Sequence, residues 1–265
     1  MPLYKYETHI HTSQGSACSS TSGAMMVERL HDLGYSGCFI TDHFFGGNTA
    51  VDRSLPWEIK VRLFCQGYED AKRRGDELGF QVFFGLEYGW HATEFLTYGI
   101  DMQFLLDHPE IDNMPLDRFA DLVHENGGFL VHAHPFREAG YISVIRLYPQ
   151  KVDAVEVCNC GNYPDPIFNE RAEWYAKSYG LPMTGGSDAH HYWNHPCGGI
   201  ALDEKLSDPH DYLERLRAGR ITEILKRDES HNLPWPEDAW KLTVRPDMNR
   251  LPEDVLKAYQ NKEIQ

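Results

Sequence analysis

Through most of the chain, short runs of β-branched and aromatic residues alternate with longer stretches whose apolar positions recur at helical spacing. Residues 5–11 read as a strand. Residues 22–33 read as a helix, because Met26, Val27, Leu30 and Leu33 share one face and Gly34 follows as a stop. The same logic predicts a strand over 36–41, one long helix over 56–78 ended by Gly79, and strands over 81–86 and 95–100. A helix over 115–126 precedes Gly127-Gly128, and a strand over 129–134 is stopped by Pro135. Residues 152–157 predict a strand, 166–179 a helix ended by Gly180, and 182–185 a short strand. A further strand at 199–202 and a helix at 209–218 follow. Strands separated by helices of this length predict parallel βαβ units, and six or seven of them predict a closed or nearly closed α/β barrel. A doubly wound open sheet is the competing architecture, but no glycine-rich phosphate loop follows any strand.

Near residue 227 the pattern breaks down. The chain turns polar and is interrupted by Pro234, Pro236, Pro246 and Pro252. The expected organisation is therefore a barrel over 1–226 and a short irregular C-terminal extension over 227–265, either packed on the barrel through Trp235 and Trp240 or trailing from it, and without a catalytic role. A length of 265 residues suits one such domain. With 25 basic and 40 acidic side chains the formal charge is −15, which opposes a nonspecific grip on long nucleic acid or an anionic membrane. No apolar run is long enough to span a bilayer, and the start lacks a signal core. The six cysteines are irregularly spaced, which fits a reduced, cytoplasmic setting, and Cys158-x-Cys160 alone does not make a zinc site.

The addresses of the histidines and acids are more telling than their number. His9 and His11 close the first strand, Asp42 and His43 the second, Glu87 the third and His134 the one after the 115–126 helix. Asp188 and His190 follow the 182–185 strand. In a parallel barrel these ends share one rim, where active sites lie. Residues i and i+2 of an extended segment project to one face, so His9 with His11 can grip one centre, as can Asp188 with His190 if the chain stays extended there. Asp42 and His43 diverge, and His43 is the one expected inward. Fourteen histidines give about 0.7 H-x-H pairs by chance, so a single pair decides nothing; the shared placement of five clusters points to metal binding. Imidazole and carboxylate donors without thiolate suit Zn²⁺, Mn²⁺ or Fe²⁺.

Several segments resemble the polymerase-and-histidinol-phosphatase (PHP) family of metal-dependent phosphoesterases: ETHIHT at 7–12, ITDH at 40–43, GLE at 85–87, YGID at 98–101, AHPF at 133–136 and GSDAH at 186–190. They occur in family order and cover about residues 4–202. The resemblance implies a distorted (β/α)7 barrel holding two or three divalent metals (zinc, manganese or iron). By position, His9, His11, Glu87 and Asp188 would hold the first metal, Glu87 and His134 the second, and His43 and His190 would face the third. Two positions depart from the family. Ser16 and Ala17 stand where many relatives carry a histidine or acid, leaving Gln14 or a water for the third metal. Glu94 stands where a histidine often precedes the Tyr-Gly-Ile-Asp run, and its carboxylate is a candidate replacement ligand.

The implied activity is hydrolysis of a small molecule's phosphate ester by a metal-bridged hydroxide, with Glu87 bridging and Asp188 or His190 managing protons. Histidinol phosphate and nucleotide phosphates are candidate substrate classes. Arg137, on the loop after His134, is a candidate phosphate clamp, with Asn159 and Arg171 weaker ones. His132 is open between a ligand and a partner that orients one. Trp57, Trp90 and Trp193 could wall the pocket, and His91, His191 and His195 lie near the rim without the pattern of ligands. Two alternatives remain: a metal-dependent amidohydrolase, which also opens with H-x-H but lacks here a mid-barrel lysine, and a catalytically silent binding module of the same fold.

Overall fold

The computed structural model describes residues 3–163, 165–194 and 197–261. His195 and the side chain of Trp240 lie outside the described residues. Nine strands among the described residues form one sheet in the order β7-β6-β5-β4-β3-β2-β1-β8-β9. They are β1 (Tyr4–Ile10), β2 (Gly37–Ile40), β3 (Gln81–Trp90), β4 (Thr93–Tyr98), β5 (Phe129–His132), β6 (Ala154–Asn159), β7 (Met183–Gly186), β8 (Ile200–Leu202) and β9 (Glu223–Ile224). The helices are α1 (Gly23–Asp32), α2 (Trp57–Phe64), α3 (Gln66–Leu78), α4 (Met102–Asp107), α5 (Leu116–Glu125), α6 (Ile167–Tyr179), α7 (Pro209–Arg217) and α8 (Glu253–Gln260).

The sheet curls until its two sides meet above β1. Ile10 bridges Ala189 in parallel, the Asp188 N–H donates to the His9 carbonyl at 2.8 Å, and the His11 N–H donates to Ala189 at 3.0 Å. Lower down, Tyr4, Lys5 and Tyr6 pair instead with β8, which is antiparallel and carries β9. The expected α/β barrel is therefore present, with more strands than the seven expected.

Not all strands run the same way, contrary to the sequence reading. β4 is antiparallel to both β3 and β5. β3 continues past Glu87 to Trp90 and turns back through His91 and Ala92, whose φ values are 52° and 59°. The reversal brings the start of β4, and with it Glu94, to the rim where the parallel strands end. The single helix expected over 56–78 is two, α2 and α3, meeting at Cys65, and the strand expected over 95–100 begins earlier, at Thr93.

Local signals account for most of the helices. Ser22 accepts from the Met25 N–H at the start of α1, and Gly79 closes α3 in the left-handed conformation (φ 68°). On α5, Leu116, Phe119, Ala120 and Val123 are all buried, the stripe of an amphipathic helix facing a sheet. The helices α1 and α3 cross at glycines: a Cβ on Gly23 would lie 2.1 Å from the Gly67 carbonyl oxygen. Met26, Val27, Leu30 and Ala71 then pack with Ile10, Cys38 and Ile40 of the sheet. Such burial contributes about 1.5–3 kcal/mol per large side chain.

The C-terminal extension packs on the barrel. Leu251 and Val255 join the core cluster of Phe64 and Leu105. Arg245 donates to the carbonyls of Ser13, Ser16 and Ala17, bracing the loop after β1. Trp235 is largely exposed and touches Trp193 and His191 edge-on. No helix of the described residues is long and apolar enough to cross a membrane.

Candidate metal centre

The strand ends bring eight side chains together: His9, His11, His43, Glu87, Glu94, His134, Asp188 and His190. Their donor atoms form four overlapping groups, each with its atoms within 4.8 Å of one another. The groups are His9–His11–Glu87, His9–His134–Asp188, His43–Glu87–Glu94 and His11–His43–His190. Glu87, in the middle of β3, is common ground. Its Oε1 lies 3.2 Å from both His9 Nε2 and His134 Nε2, and its Oε2 lies 2.6 Å from His43 Nδ1. Glu94 reaches the same space, 3.5 Å from His134 Nε2 and 3.8 Å from His43 Nδ1.

The chain holds these rings so that their free nitrogens converge. The Nδ1–H of His9 donates to Glu156 Oε1 at 2.9 Å. The Nδ1–H of His11 donates to the Ser16 hydroxyl at 3.0 Å, because that hydroxyl spends its own proton on Asp42 Oδ1 at 2.7 Å. When both rings are neutral each therefore turns its lone pair at Nε2 inward, and the two Nε2 atoms stand 3.1 Å apart. Asp188 Oδ1, another acceptor, is 3.1 Å from His11 Nε2 and 3.5 Å from His9 Nε2. In addition, His43 Nδ1 and Glu87 Oε2 are buried without a hydrogen bond of good geometry despite their 2.6 Å separation. Lone pairs and carboxylates crowded together in a dry site repel unless a cation sits among them, and the nitrogen–oxygen donor set fits divalent zinc, manganese or iron.

The electrostatics put positive charge at the same spot, which in the cation-free chain is a proton on His9 that its Nε2–H donates to His11 Nε2. Burial opposes charge on His9, but Glu156, Asp188 and Glu87 outweigh it and raise its pKa well above the ordinary value. Burial, then His190 and His43, push His11 well below. Burial likewise works against the Glu87 carboxylate, yet His43 and His9 hold its pKa well below the usual range; Arg137 and His9 do the same for buried Asp188. Glu94 is raised, by burial first and then by Glu87.

The supporting residues include several that sequence reasoning missed. Glu156, fully buried in β6, accepts from three donors: His9 Nδ1, the His134 N–H and Asn159 Nδ2, each at 2.9 Å. Gly186 of β7 makes room beside it, since a Cβ there would lie 2.4 Å from His9 Cβ and 2.6 Å from Glu156 Oε1. Asp42 belongs to none of the four donor groups, as expected of the residue beside His43, and takes the N–H and hydroxyl of Thr12 at 2.6 Å each. Ser16 is the hinge of this arrangement: it also accepts the His43 N–H at 3.0 Å. The position that breaks the family pattern thus links His11, His43 and Asp42. Gln14 is turned elsewhere, donating to Asp70 and accepting from the Gly23 N–H.

Other expectations are corrected. The chain does not stay extended past Ser187; Asp188 has φ 58°, and His190 is set by its Nδ1–H donating to the Asp188 carbonyl at 2.8 Å. Arg137, the candidate phosphate clamp, is held in place beside the centre. It pairs with Asp188 Oδ2 at 2.7 Å and donates to Asn162 and Asn159 at 2.9 and 2.8 Å. Arg171 instead pairs with exposed Glu138. His132 belongs to none of the four donor groups: it is fully buried, stacks on Phe95 and meets Tyr175 edge-on. Trp57 donates to the Leu105 carbonyl within the Phe44–Phe45 aromatic cluster rather than walling the site. Beside the centre opens a cavity of about 460 Å³ lined by Cys18, Gly161, Tyr163, Asp188, His190 and Arg227, among others.

Residues 166–221 match the family described as PHP-associated. No curated protein matches the chain. In fold it is similar to a two-domain protein from Bacteroides vulgatus ATCC 8482 containing a predicted PHP-like metal-dependent phosphoesterase. The TM-score is 0.64 at 13% identity, over 85% of this chain and 65% of that one. It is also similar to PsfC from Pseudomonas syringae PB-5123, with a TM-score of 0.54 at 17% identity, over 99% and 100% of the two chains. A third likeness is to the lesion-specific endonuclease PfuEndoQ from Pyrococcus furiosus, with a TM-score of 0.57 at 11% identity, over 86% and 60%. The chain spans just under two thirds of the first of these proteins and three fifths of the last. At such identities the likeness is one of fold.

Proposed function

We propose that this chain, for which the fold and the PHP-associated segment support the PHP family, is a metal-dependent phosphoesterase that hydrolyses a phosphate ester of a small molecule. The carrying observation is the convergence of the Nε2 atoms of His9 and His11, 3.1 Å apart, between the Glu87 and Asp188 carboxylates. His9, His11, His43, Glu87, Glu94, His134, Asp188 and His190 would hold two or three divalent cations, with Glu87 shared between positions. When bound, such cations supply an activated water near neutral pH, neutralise phosphoryl oxygens and stabilise the leaving alkoxide.

The chain's own groups do the rest. Glu156 and Ser16 keep the protons of His9 and His11 on Nδ1, so that Nε2 stays available. Arg137 is oriented by Asn159, Asn162 and Asp188 beside the centre, where its guanidinium can take a phosphoryl oxygen. His190 keeps its proton on Nδ1 through the Asp188 carbonyl, which leaves Nε2 as the atom that would hold a cation. No serine or cysteine nucleophile is required, so no covalent intermediate is expected. The −15 charge favours a small ester over long nucleic acid. A second reading, cleavage at a DNA lesion, draws on the fold shared with the endonuclease.

The test is phosphate release from aryl phosphate, nucleotide phosphates and histidinol phosphate by protein loaded with zinc, manganese or iron, with a duplex containing an abasic site beside them. Metal-dependent turnover of a small ester supports the proposal. Cleavage of the duplex alone supports the second reading, and a metal-loaded protein inert to all of them contradicts both.

A further inference from the structure

We infer that Arg53, Arg146 and Arg245 form a positively charged rim at the metal centre, which draws in a doubly charged phosphate against the net negative charge of the chain. This rests on the reading of the site as one that takes a phosphate ester.

The three arginines are bonded differently from the cations of the outer helices. There, a carboxylate one turn away lies against each cation, as in Arg62–Glu58, Arg74–Glu77 and Lys177–Glu173, so the fields cancel locally. Arg53, Arg146 and Arg245 are held by carbonyl oxygens instead. Arg53 donates from Nε to the Phe45 carbonyl at 2.7 Å and from Nη2 to that of Gly47. Arg146 donates to the carbonyls of His91 at 3.0 Å and Val144 at 3.3 Å. Arg245 donates to those of Ser13 at 3.0 Å, Ser16 at 3.3 Å and Ala17 at 3.2 Å. Among the described residues, none of the three pairs with a carboxylate. The acids near two of them in sequence are turned to other donors: Asp52 Oδ1 accepts the N–H and hydroxyl of Ser54, and Asp247 Oδ1 the N–H and side-chain amide of Asn249. A carbonyl fixes a guanidinium in place without neutralising it, so each arginine keeps its full positive charge.

The three side chains reach residues that border the donors of the centre. Gly47, which receives Arg53, packs on His43; a Cβ there would lie 3.3 Å from His43 Cβ. Ser16, which receives Arg245, accepts from His11 Nδ1 and the His43 N–H through its hydroxyl. Arg146 lines a crevice together with Glu94, His134 and Arg137. The loop after β2, the loop after β5 and the C-terminal extension thus each bring one uncompensated cation to the same rim, on a chain whose formal charge is −15. The attraction scales with the charge of the incoming ion, so a monoester, nearly doubly charged at neutral pH, gains about twice what a singly charged diester gains. Charge focused at a cleft in this way raises association by about 10–1000-fold at low salt, and screening removes the effect.

The experiment titrates the full-length, metal-loaded protein with inorganic phosphate at mildly alkaline pH, by calorimetry, at about 20 mM and about 500 mM salt. Metal content is checked by elemental analysis, and turnover of an aryl phosphate is followed beside it. Replacing the three arginines by Arg53→Gln, Arg146→Gln and Arg245→Gln together should weaken phosphate binding by about tenfold at low salt and by less than about twofold at high salt. The same three positions changed to lysine should stay within about twofold of the parent at both salts. In turnover, kcat/KM should follow the binding and kcat should not. If the triple glutamine variant loses metal, Arg53→Gln and Arg146→Gln, which leave the Ser16 loop untouched, should each show about a twofold loss confined to low salt. A loss equal at both salts, a lysine variant as weak as the glutamine one, or no loss at all overturns the inference. Salt-sensitive phosphate binding without turnover of any ester supports the rim and contradicts the phosphoesterase reading; a loaded protein that binds no phosphate contradicts both.

Discussion

Glu156→Gln is a one-atom change that tests how the centre is held. The carboxylate accepts from His9 Nδ1, from the His134 N–H and from Asn159 Nδ2, each at 2.9 Å, and it is fully buried. A glutamine offers one oxygen and one NH2 group, so one side must face a donor with a donor. If the NH2 turns toward His134 and Asn159, two hydrogen bonds are lost. At about 1–3 kcal/mol per unsatisfied buried group, that orientation costs about 2–6 kcal/mol. If it turns toward His9, the ring can accept from it only by moving its proton to Nε2, which then no longer offers a lone pair. That route costs little folding stability but weakens cation binding by about 10–100-fold, or about 1.4–2.7 kcal/mol. The cheaper route wins. The Gln variant should therefore fold nearly normally, bind metal 10–100-fold more weakly by this estimate, and lose activity in proportion unless metal is in excess. Competition against a chromophoric chelator measures the affinity, and a thermal melt of the stripped protein measures the fold. An affinity within twofold of the parent, together with an unchanged melt, would refute the claim that Glu156 sets the tautomer of His9.

Three further outcomes are expected. Ser16→Ala deprives His11 Nδ1 and the His43 N–H of their acceptor and Asp42 of a donor; metal affinity should drop by about tenfold in the same chelator competition. Glu87→Ala removes the carboxylate common to two donor groups, so phosphate release should fall to background while the far-ultraviolet circular dichroism is retained; near-normal turnover would refute its role. His132 concerns stability alone: burial, then His134, lowers its pKa to about 3, below the value near 6.5 of an unfolded chain. The unfolded state then binds more protons between those values, so stability present above pH 6.5 is lost as pH falls toward 3, by about 2 kcal/mol at pH 5. His132→Phe, which keeps a ring against Phe95 and Tyr175, should flatten that part of the acid arm in melts of the stripped protein between pH 5 and 8.

Much of the architecture was legible because period and punctuation agreed: glycines 34, 79, 127 and 180 end the helices before or around them, and the strands between are apolar runs. The convergence of residues 9 to 190 was legible because strand ends share a rim. What escaped lacked a local signal. The turn at His91-Ala92 has neither glycine nor asparagine, so nothing announced that β4 runs backwards, and Glu94 reached the centre for a reason the pattern did not contain. Cys65 divides α2 from α3 with no proline or glycine to mark it. Glu156 had a signal that went unread: a carboxylate inside the run Ala154–Asn159, flanked by two valines, must be buried and must have partners.

The central claim is that donors from β1, β3, β4 and the loops after β1, β2, β5 and β7 make one cage for several cations. Native mass spectrometry of the stripped protein, reloaded with zinc or manganese and freed of excess metal, measures this directly. The account predicts two or three ions retained per chain, reduced in His9→Ala and in Asp188→Ala. A parent chain that retains none, or variants that retain as many as the parent, would contradict it.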